Sequence, residues 1–335
     1  MDSLTHIAIG SVVGMAVMGR RTPRWKAALW GGVCATLPDL DTFIDHGDPI
    51  RNMTFHRAES HALFYLTLAA PPIAWLISRI HREAGHFRRW WLAVWLALIL
   101  HPLLDVMTVY GTQLALPFTD YPFGVGSIFI IDPLFTLPVL VGALVALLSR
   151  RTRSVSLGIV GLAISALYLA WTFAAQQHVT GIARDSLRAQ GIEVQQLEVD
   201  PAAFSTVLWR VIAITPGGYV EGFYSLLDHE RTLAFDRYPR DESLYQRLRT
   251  NWNVARVAWF THGFFRMQEL DGRVLITDLR LGMEPYYNFT FAVAERRGDL
   301  FVPIRPERAP PRLDAGPMVS WIWRRMRGAT PRPPG

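Results

Sequence analysis

Five short stretches of this 335-residue chain carry imidazole and carboxylate groups close together. Asp2 and His6 are four residues apart, as are His101 and Asp105. That spacing sets two side chains on one face of a helix. The run "PDLD" holds Asp39 and Asp41, and "HRAESH" holds His56 and His61 with Arg57 and Ser60 between them. Asp132 opens "DPLFTLP". Carboxylate with imidazole is the donor set for zinc, manganese or iron, with magnesium favoured where oxygen donors dominate. The candidate metal ligands are Asp2, His6, Asp39, His56, His61, His101 and Asp105. They exceed one tetrahedral site, so one or two divalent ions are expected, with a carboxylate such as Asp39 or Asp41 as bridge. Asp41 or Asp132 is read as a general base or as the group that orients a ligand. Arg57 is read as a bidentate partner for a substrate phosphate or carboxylate, the alternative being a lipid headgroup.

Each stretch also has a plainer reading. Asp2 and His6 suit an acidic helix start, and "PDLD" suits a turn and cap. His56 and His61 fit a wet loop, and His101 with Asp105 fits a buried hydrogen-bonded pair. Ser60 reads as an N-cap for a helix beginning near His61. The case for chemistry rests on all five stretches reaching one level of the molecule. That depends on the elements that carry them.

Those elements read as membrane helices. Residues 128–148 and 155–175 approach the length that crosses about 30 Å of hydrocarbon. Residues 62–78 and 90–108 are good candidates, and 4–19 and 27–44 are shorter and rich in small residues, which suit close helix contacts. About six crossings are expected, or four with two re-entrant or interfacial helices. Three basic loops, "RRTPRWK", "RIHREAGHFRR" and "RRTR", alternate with less basic ones. By the positive-inside rule they belong in the cytoplasm. The donor-bearing ends, the 45–60 and 109–127 loops and everything after residue 176 then lie outside.

Composition divides the chain the same way. Hydrophobic residues make up 50% of it, yet residues 1–175 carry 23 charged side chains and residues 176–335 carry 39. The expected organisation is a transmembrane helical domain (1–175), an exterior domain (176–316) and a basic, proline-rich tail (317–335). Net charge is +6, but without a basic run among interspersed acids nucleic acid is not an expected partner. The single Cys34 allows no intramolecular disulfide. The first segment starts with an acid and has no basic leader, so no cleavable signal peptide is expected. In the exterior part, "VLWRVIAIT", "GYVEGFYSLLD", "RVLITDLRLG" and "YNFTFAVAE" read as strands of an antiparallel sheet. "ELDGRVLI" reads as a hairpin with a type I′ turn, and residues 181–197 and 241–260 read as helices. The fold class is thus a polytopic α-helical membrane bundle followed by a mainly β, α+β extramembrane domain.

In this order, "DSLTH", "PDLD", "HRAESH", "HPLLDVMTVYGTQLALPF" and "IIDPLFTLP" resemble the LexA-regulated or LexA-binding inner-membrane-associated metal-dependent hydrolases. The likeness extends into "DLRLG" and "YYNFTF". The resemblance implies an integral protein of the bacterial inner membrane with metal-dependent hydrolase activity, and the basic loops then make its C-terminal domain periplasmic. It also implies a polar set of Asp2, His6, Asp39, Asp41, His56, His61, His101, Asp105 and Asp132. Ala62 departs from the hydroxyl residue expected after the second loop histidine. The His-x3-Asp unit is also similar to that of zinc-dependent phospholipase C enzymes, which implies a phosphoester substrate at headgroup depth. The expected function is hydrolysis of a phosphoester or ester, lipid-linked, by metal-activated water, with zinc as the first choice of ion and manganese or magnesium as alternatives. The expected partners are the bilayer and a lipid or lipid-linked substrate. The alternative is a non-catalytic scaffold or sensor with a structural metal and an exterior binding domain.

Overall fold

Glycine sets the closest contact in the helical half. Helix α1 (Ser3–Met18) crosses α2 (Arg24–Thr36) where Gly10 meets Gly31, and a methyl group on either would overlap the other's carbonyl. Small residues let two backbones approach this far where apolar burial alone gives no drive between helices. A short helix, α3 (Pro49–Phe55), follows, then α4 (Leu63–Ile80), α5 (Phe87–Asp105), α6 (Pro133–Leu148) and α7 (Ser154–Ala189). The computed structural model describes residues 1–149, 154–309 and 315–328. The basic stretch "RRTR" and residues 329–335 of the tail lie outside the described residues.

The chain forms two compact units, residues 1–44 with 57–173, and residues 45–56 with 174–335. Residues 45–56, read from the sequence as an outer loop of the helical domain, belong to the second unit. Within it Arg256 Nε donates to Thr54 Oγ1 at 3.1 Å and Arg305 Nη2 donates to the Gly47 carbonyl at 2.6 Å.

The first unit is apolar outside and small within. Leu68, Trp75, Leu137 and Val141 are exposed, while Ala70, Ala74, Val139 and Ala146 are buried. Lipid, unlike water, permits that arrangement. The expected six crossings are not met. Among the described residues, two helices are long and apolar enough to span a bilayer, Leu63–Ile80 and Ser154–Ala189. At 1.5 Å per residue α1 and α6 reach only about 24 Å, and the 27–44 segment breaks at Leu37, where Pro38 opens a 3-10 turn, Pro38–Phe43. Leu37 keeps helical angles (φ −55°, ψ −40°), but Pro38 donates no backbone hydrogen bond, so the α-helical ladder stops there.

One end of this unit gathers the basic segments. Arg24 Nη1 donates to Ser154 Oγ at 2.7 Å, Arg89 Nη1 to the Val17 carbonyl at 3.0 Å, and Lys26 pairs with Glu83 at 3.6 Å. The start of α1 and the last turn of α5 lie at the other end.

The second unit is mainly β. Its strands are β1 (Gln196–Pro201), β2 (Leu208–Thr215), β3 (Gly218–Ser225), β4 (Asp236–Pro239), β5 (Phe265–Leu270), β6 (Arg273–Asp278), β7 (Gly282–Met283), β8 (Tyr286–Tyr287), β9 (Thr290–Arg297) and β10 (Leu300–Arg308). They form two four-stranded antiparallel sheets, ordered β1-β2-β3-β4 and β10-β9-β6-β5, and a β7–β8 ribbon. The β5–β6 hairpin turns at Asp271 (φ 51°) and Gly272 (φ 74°), both left-handed as a type I′ turn requires. The expected 241–260 helix is two, α8 (Glu242–Leu248) and α9 (Trp252–Phe260), and the expected 181–197 helix is the last part of α7 followed by β1. A final amphipathic helix, α10 (Ala315–Met326), packs Trp321 and Ile322 against Leu208 and Met283.

The second unit buries charge in pairs. Arg210 Nε donates to Glu221 Oε1 at 2.5 Å, and its Nη1 to the Leu279 carbonyl at 2.8 Å. Arg280 grips Asp278 with Nε at 3.0 Å and Nη2 at 2.8 Å, and Arg266 pairs with Glu284.

Candidate metal centre

Three chain segments bring four donors together. The last turn of α5 carries His101 and Asp105 on one face, and both are buried. The 3-10 turn at Pro38 carries Asp39. A second 3-10 turn, Glu59–His61, ends in the fully buried His61 just before α4. One donor atom from each of Asp39, His61, His101 and Asp105 lies within 4.8 Å of the other three.

The individual distances identify what the group would fit. His61 Nε2 and His101 Nε2 are 3.1 Å apart. Asp105 Oδ2 is 3.4 Å from His61 Nε2 and 3.2 Å from His101 Nε2. Asp39 Oδ1 is 3.6 Å from His61 Nε2 and 3.3 Å from His101 Nε2. A tetrahedral ion with bonds near 2.0–2.2 Å has donor–donor edges of about 3.3–3.6 Å. Five edges of this group therefore approach those of a zinc tetrahedron. Asp105 Oδ2 is buried and has no hydrogen-bond partner among the described residues, so they leave that acceptor unsatisfied.

The surrounding groups fix the imidazoles. The Ala35 carbonyl, 2.6 Å from His101 Nδ1, can only accept, so Nδ1 carries the hydrogen and Nε2 keeps its lone pair for the cluster. On His61, Nδ1 lies 2.9 Å from Ser60 Oγ, whose hydroxyl donates to Asp41 Oδ2 at 2.5 Å. Asp41 Oδ2 also accepts from the Arg57 amide at 3.0 Å and lies 3.4 Å from His61 Nδ1. A carboxylate behind a histidine in this manner orients a metal ligand and raises its basicity. Ser60 is thus not the N-cap of α4. Ala62 holds that position without a side-chain bond.

Burial alone would lower the basicity of His61, but contacts with Asp105, Asp39 and Asp41 outweigh it and push the imidazole up to about 9. Burial would raise the Asp39 carboxyl, yet the adjoining imidazoles of His101 and His61 hold it well below the usual carboxylate range. Both shifts report a pocket that demands positive charge, which a bound cation would supply.

The other oxygen of Asp105 faces a different group. Oδ1 is 3.3 Å from His6 Nε2 and 3.4 Å from Arg57 Nη2, and it contacts the Met1 nitrogen. His6 stacks on His101 with ring centroids 3.8 Å apart, and its buried Nε2 lacks a hydrogen-bond partner among the described residues. Arg57 is buried at φ 64°, with Nη1 3.4 Å from Thr108 Oγ1 and its guanidinium over the Tyr110 ring. Asp105 therefore has the position of a bridge between two donor groups, a role that sequence reading gave to Asp39 or Asp41.

Three expected members stand elsewhere. Asp2 caps α1, accepting from the Thr5 amide at 3.0 Å and the Thr5 hydroxyl at 2.6 Å. Asp132 caps α6, accepting from Leu134 N at 2.9 Å and Tyr168 Oη at 2.9 Å. Both carboxylates are engaged in the plainer helix-start role. His56 is the C-cap of α3 and belongs to the second unit. Sequence reading missed the Ala35 carbonyl, which no side-chain pattern reveals, and the Ser60 relay, which the spacing Ser60–His61 beside "PDLD" could have suggested.

No solved structure matches the chain. The uncharacterized protein YfhP of Bacillus subtilis (strain 168) is 28% identical over 142 residues, covering 40% of this chain and 42% of that protein. The match thus spans less than half of either protein. The YdjM inner membrane protein family matches residues 1–179, a range that contains every donor of the cluster. The chain belongs to the YdjM inner membrane protein family.

Proposed function

We propose that this inner-membrane protein is a metal-dependent hydrolase of a phosphoester or ester borne by a lipid or lipid-linked substrate. The observation that carries the proposal is the near-tetrahedral convergence of Asp39, His61, His101 and Asp105 around an unsatisfied carboxylate oxygen. Zinc suits two imidazoles and two carboxylates best, with manganese or magnesium as alternatives. When bound, such an ion supplies Lewis acidity, which activates water near neutral pH and balances charge on a leaving oxygen.

The chain's own residues define the rest. Asp41 and Ser60 hold His61 in its donor orientation. Asp39, whose side chain is 22% exposed while the other three donors are buried, is where water and substrate reach the centre. Arg57 offers a fixed positive group for a phosphoryl oxygen. A second ion on His6 Nε2 and Asp105 Oδ1 would take the place of the Met1 nitrogen and Arg57 at that oxygen. The basic segments gather at the end of the first unit opposite these donors, which supports a periplasmic centre under the positive-inside rule.

A structural metal in a non-catalytic scaffold or sensor is the second reading. It is favoured by the number of protein donors, since four fill a tetrahedron and catalytic zinc usually keeps one position open. Purified protein should contain at least one ion per chain by mass spectrometry and hydrolyse a chromogenic phosphodiester or fluorogenic lipid ester. Chelation should stop turnover and zinc should restore it. Turnover that survives complete stripping would overturn the hydrolase mechanism. Bound metal that stabilises the protein without turnover on either substrate would select the scaffold reading.

A further inference from the structure

Helix α10 leaves a second apolar stripe beside the one it buries. Met318, Trp321, Ile322 and Met326 pack on the sheet, while Val319 and Trp323, one helical turn apart, are more than half exposed. Arg327 stacks over the Trp323 ring at 4.5 Å, and Arg324 is exposed alongside. No ion pair with either arginine occurs among the described residues, whereas Arg325 is held by Asp228 at 2.8 Å.

The end of α10 is anchored where two other apolar side chains protrude. Ser225 Oγ donates to the Met326 carbonyl at 2.6 Å, and Ser205 Oγ lies 3.9 Å from Met326 Sδ. Beside these anchors Phe204, at φ 64°, and Leu227 are each at least half exposed. A soluble surface seldom gathers large apolar groups under a basic rim without an interaction role.

Charge indicates what covers them. Arg324 and Arg327, without an ion pair among the described residues, share one side of α10 with the exposed Val319 and Trp323, and cations beside apolar groups match the anionic, apolar-cored surface of a lipid bilayer.

We propose that Val319, Trp323, Phe204 and Leu227 form a surface that seats the second unit on an anionic lipid bilayer. The aromatic and aliphatic groups enter the interfacial region and Arg324 and Arg327 meet the headgroups. Cys34 is fully buried, so Val319→Cys in the full chain takes a fluorophore at one site. The labelled protein is placed one copy per nanodisc, in phosphatidylcholine alone or with added phosphatidylglycerol, each containing a headgroup-proximal doxyl quencher. Quenching should rise about twofold with the anionic lipid and return to the neutral-lipid level in the double variant Arg324→Glu, Arg327→Glu. Near-ultraviolet circular dichroism of the variant checks that the Trp321 packing is intact. A label unquenched in either lipid overturns the proposal. So does protection that requires two copies per disc, which assigns the stripe to self-association.

Discussion

In the first unit, His61, His101, Asp39 and Asp105 aim their donors at one volume, and one oxygen of Asp105 has no hydrogen-bond partner among the described residues. In the second unit, Arg210 with Glu221, Arg280 with Asp278 and Arg266 with Glu284 also bury charge, but each carboxylate meets a guanidinium. Burial of carboxylates is common to both. The difference is convergence. Imidazoles and carboxylates that share a centre leave a requirement for a cation, whereas a carboxylate matched to one guanidinium has its charge balanced within the pair. The comparison separates a ligand site from an internal scaffold without reference to any activity.

Substitution tests that separation most severely at Asp105. Asp105→Ala should reduce bound metal at least about tenfold, because it removes one of four donors and the bridge to His6. Metal retained at the wild-type ratio would place the ion elsewhere. Glu221→Gln should leave metal content unchanged and destabilise the second unit by about 3–5 kcal/mol, since it strands the buried Arg210. Chemical denaturation followed with metal analysis reads both effects. Asp41→Asn should weaken metal binding by about 10–100-fold without abolishing it, as loss of an orienting partner does. A competition titration against a chelator of known affinity measures this.

A pH series sharpens the contrast. Burial pushes the Asp200 carboxyl up to about 8 from an ordinary 3.8. A carboxyl whose folded value is raised favours the protonated fold. Its contribution is therefore complete below about pH 4 and is lost as pH rises through about 8. Hydrogen exchange at the β2 amides, corrected for intrinsic rate, should show protection falling across that window, and Asp200→Asn should flatten the slope. The smallest effect is expected at Asp132. Asp132→Ala should cost about 1 kcal/mol as a lost helix cap and leave metal content untouched.

The sequence made the α5 pair most legible, because a four-residue spacing at a helix end has one geometric outcome. Asp39 and His61 were also readable as donors. Their neighbours were not separable, since "PDLD" and "HRAESH" lie in 3-10 turns where neither the helical nor the strand period assigns a face. Asp39 thus points into the cluster and Asp41 stands behind His61. Asp2 and Asp132 carried both a ligand reading and a capping reading, and local backbone amides decided for the cap. The helical half and the β half were visible in charge density and periodicity. The crossing count was not, because Pro38 marks the end of a helix while Pro71, Pro72, Pro102 and Pro138 lie within helices, and the apolar pattern does not tell them apart.

All four donors fall between residues 39 and 105. The remaining two-thirds of the chain takes roughly ten to fifty seconds to synthesise at typical bacterial and eukaryotic rates. During that interval α2, α4 and α5 have left the ribosome, and the Ala35 carbonyl that sets His101 is already present. Under the proposed metal site, loading is therefore open to the nascent protein before residues 174–335 of the second unit exist. Scarcity of metal would then act on biogenesis, by leaving an unfilled acidic centre in the bilayer while translation continues.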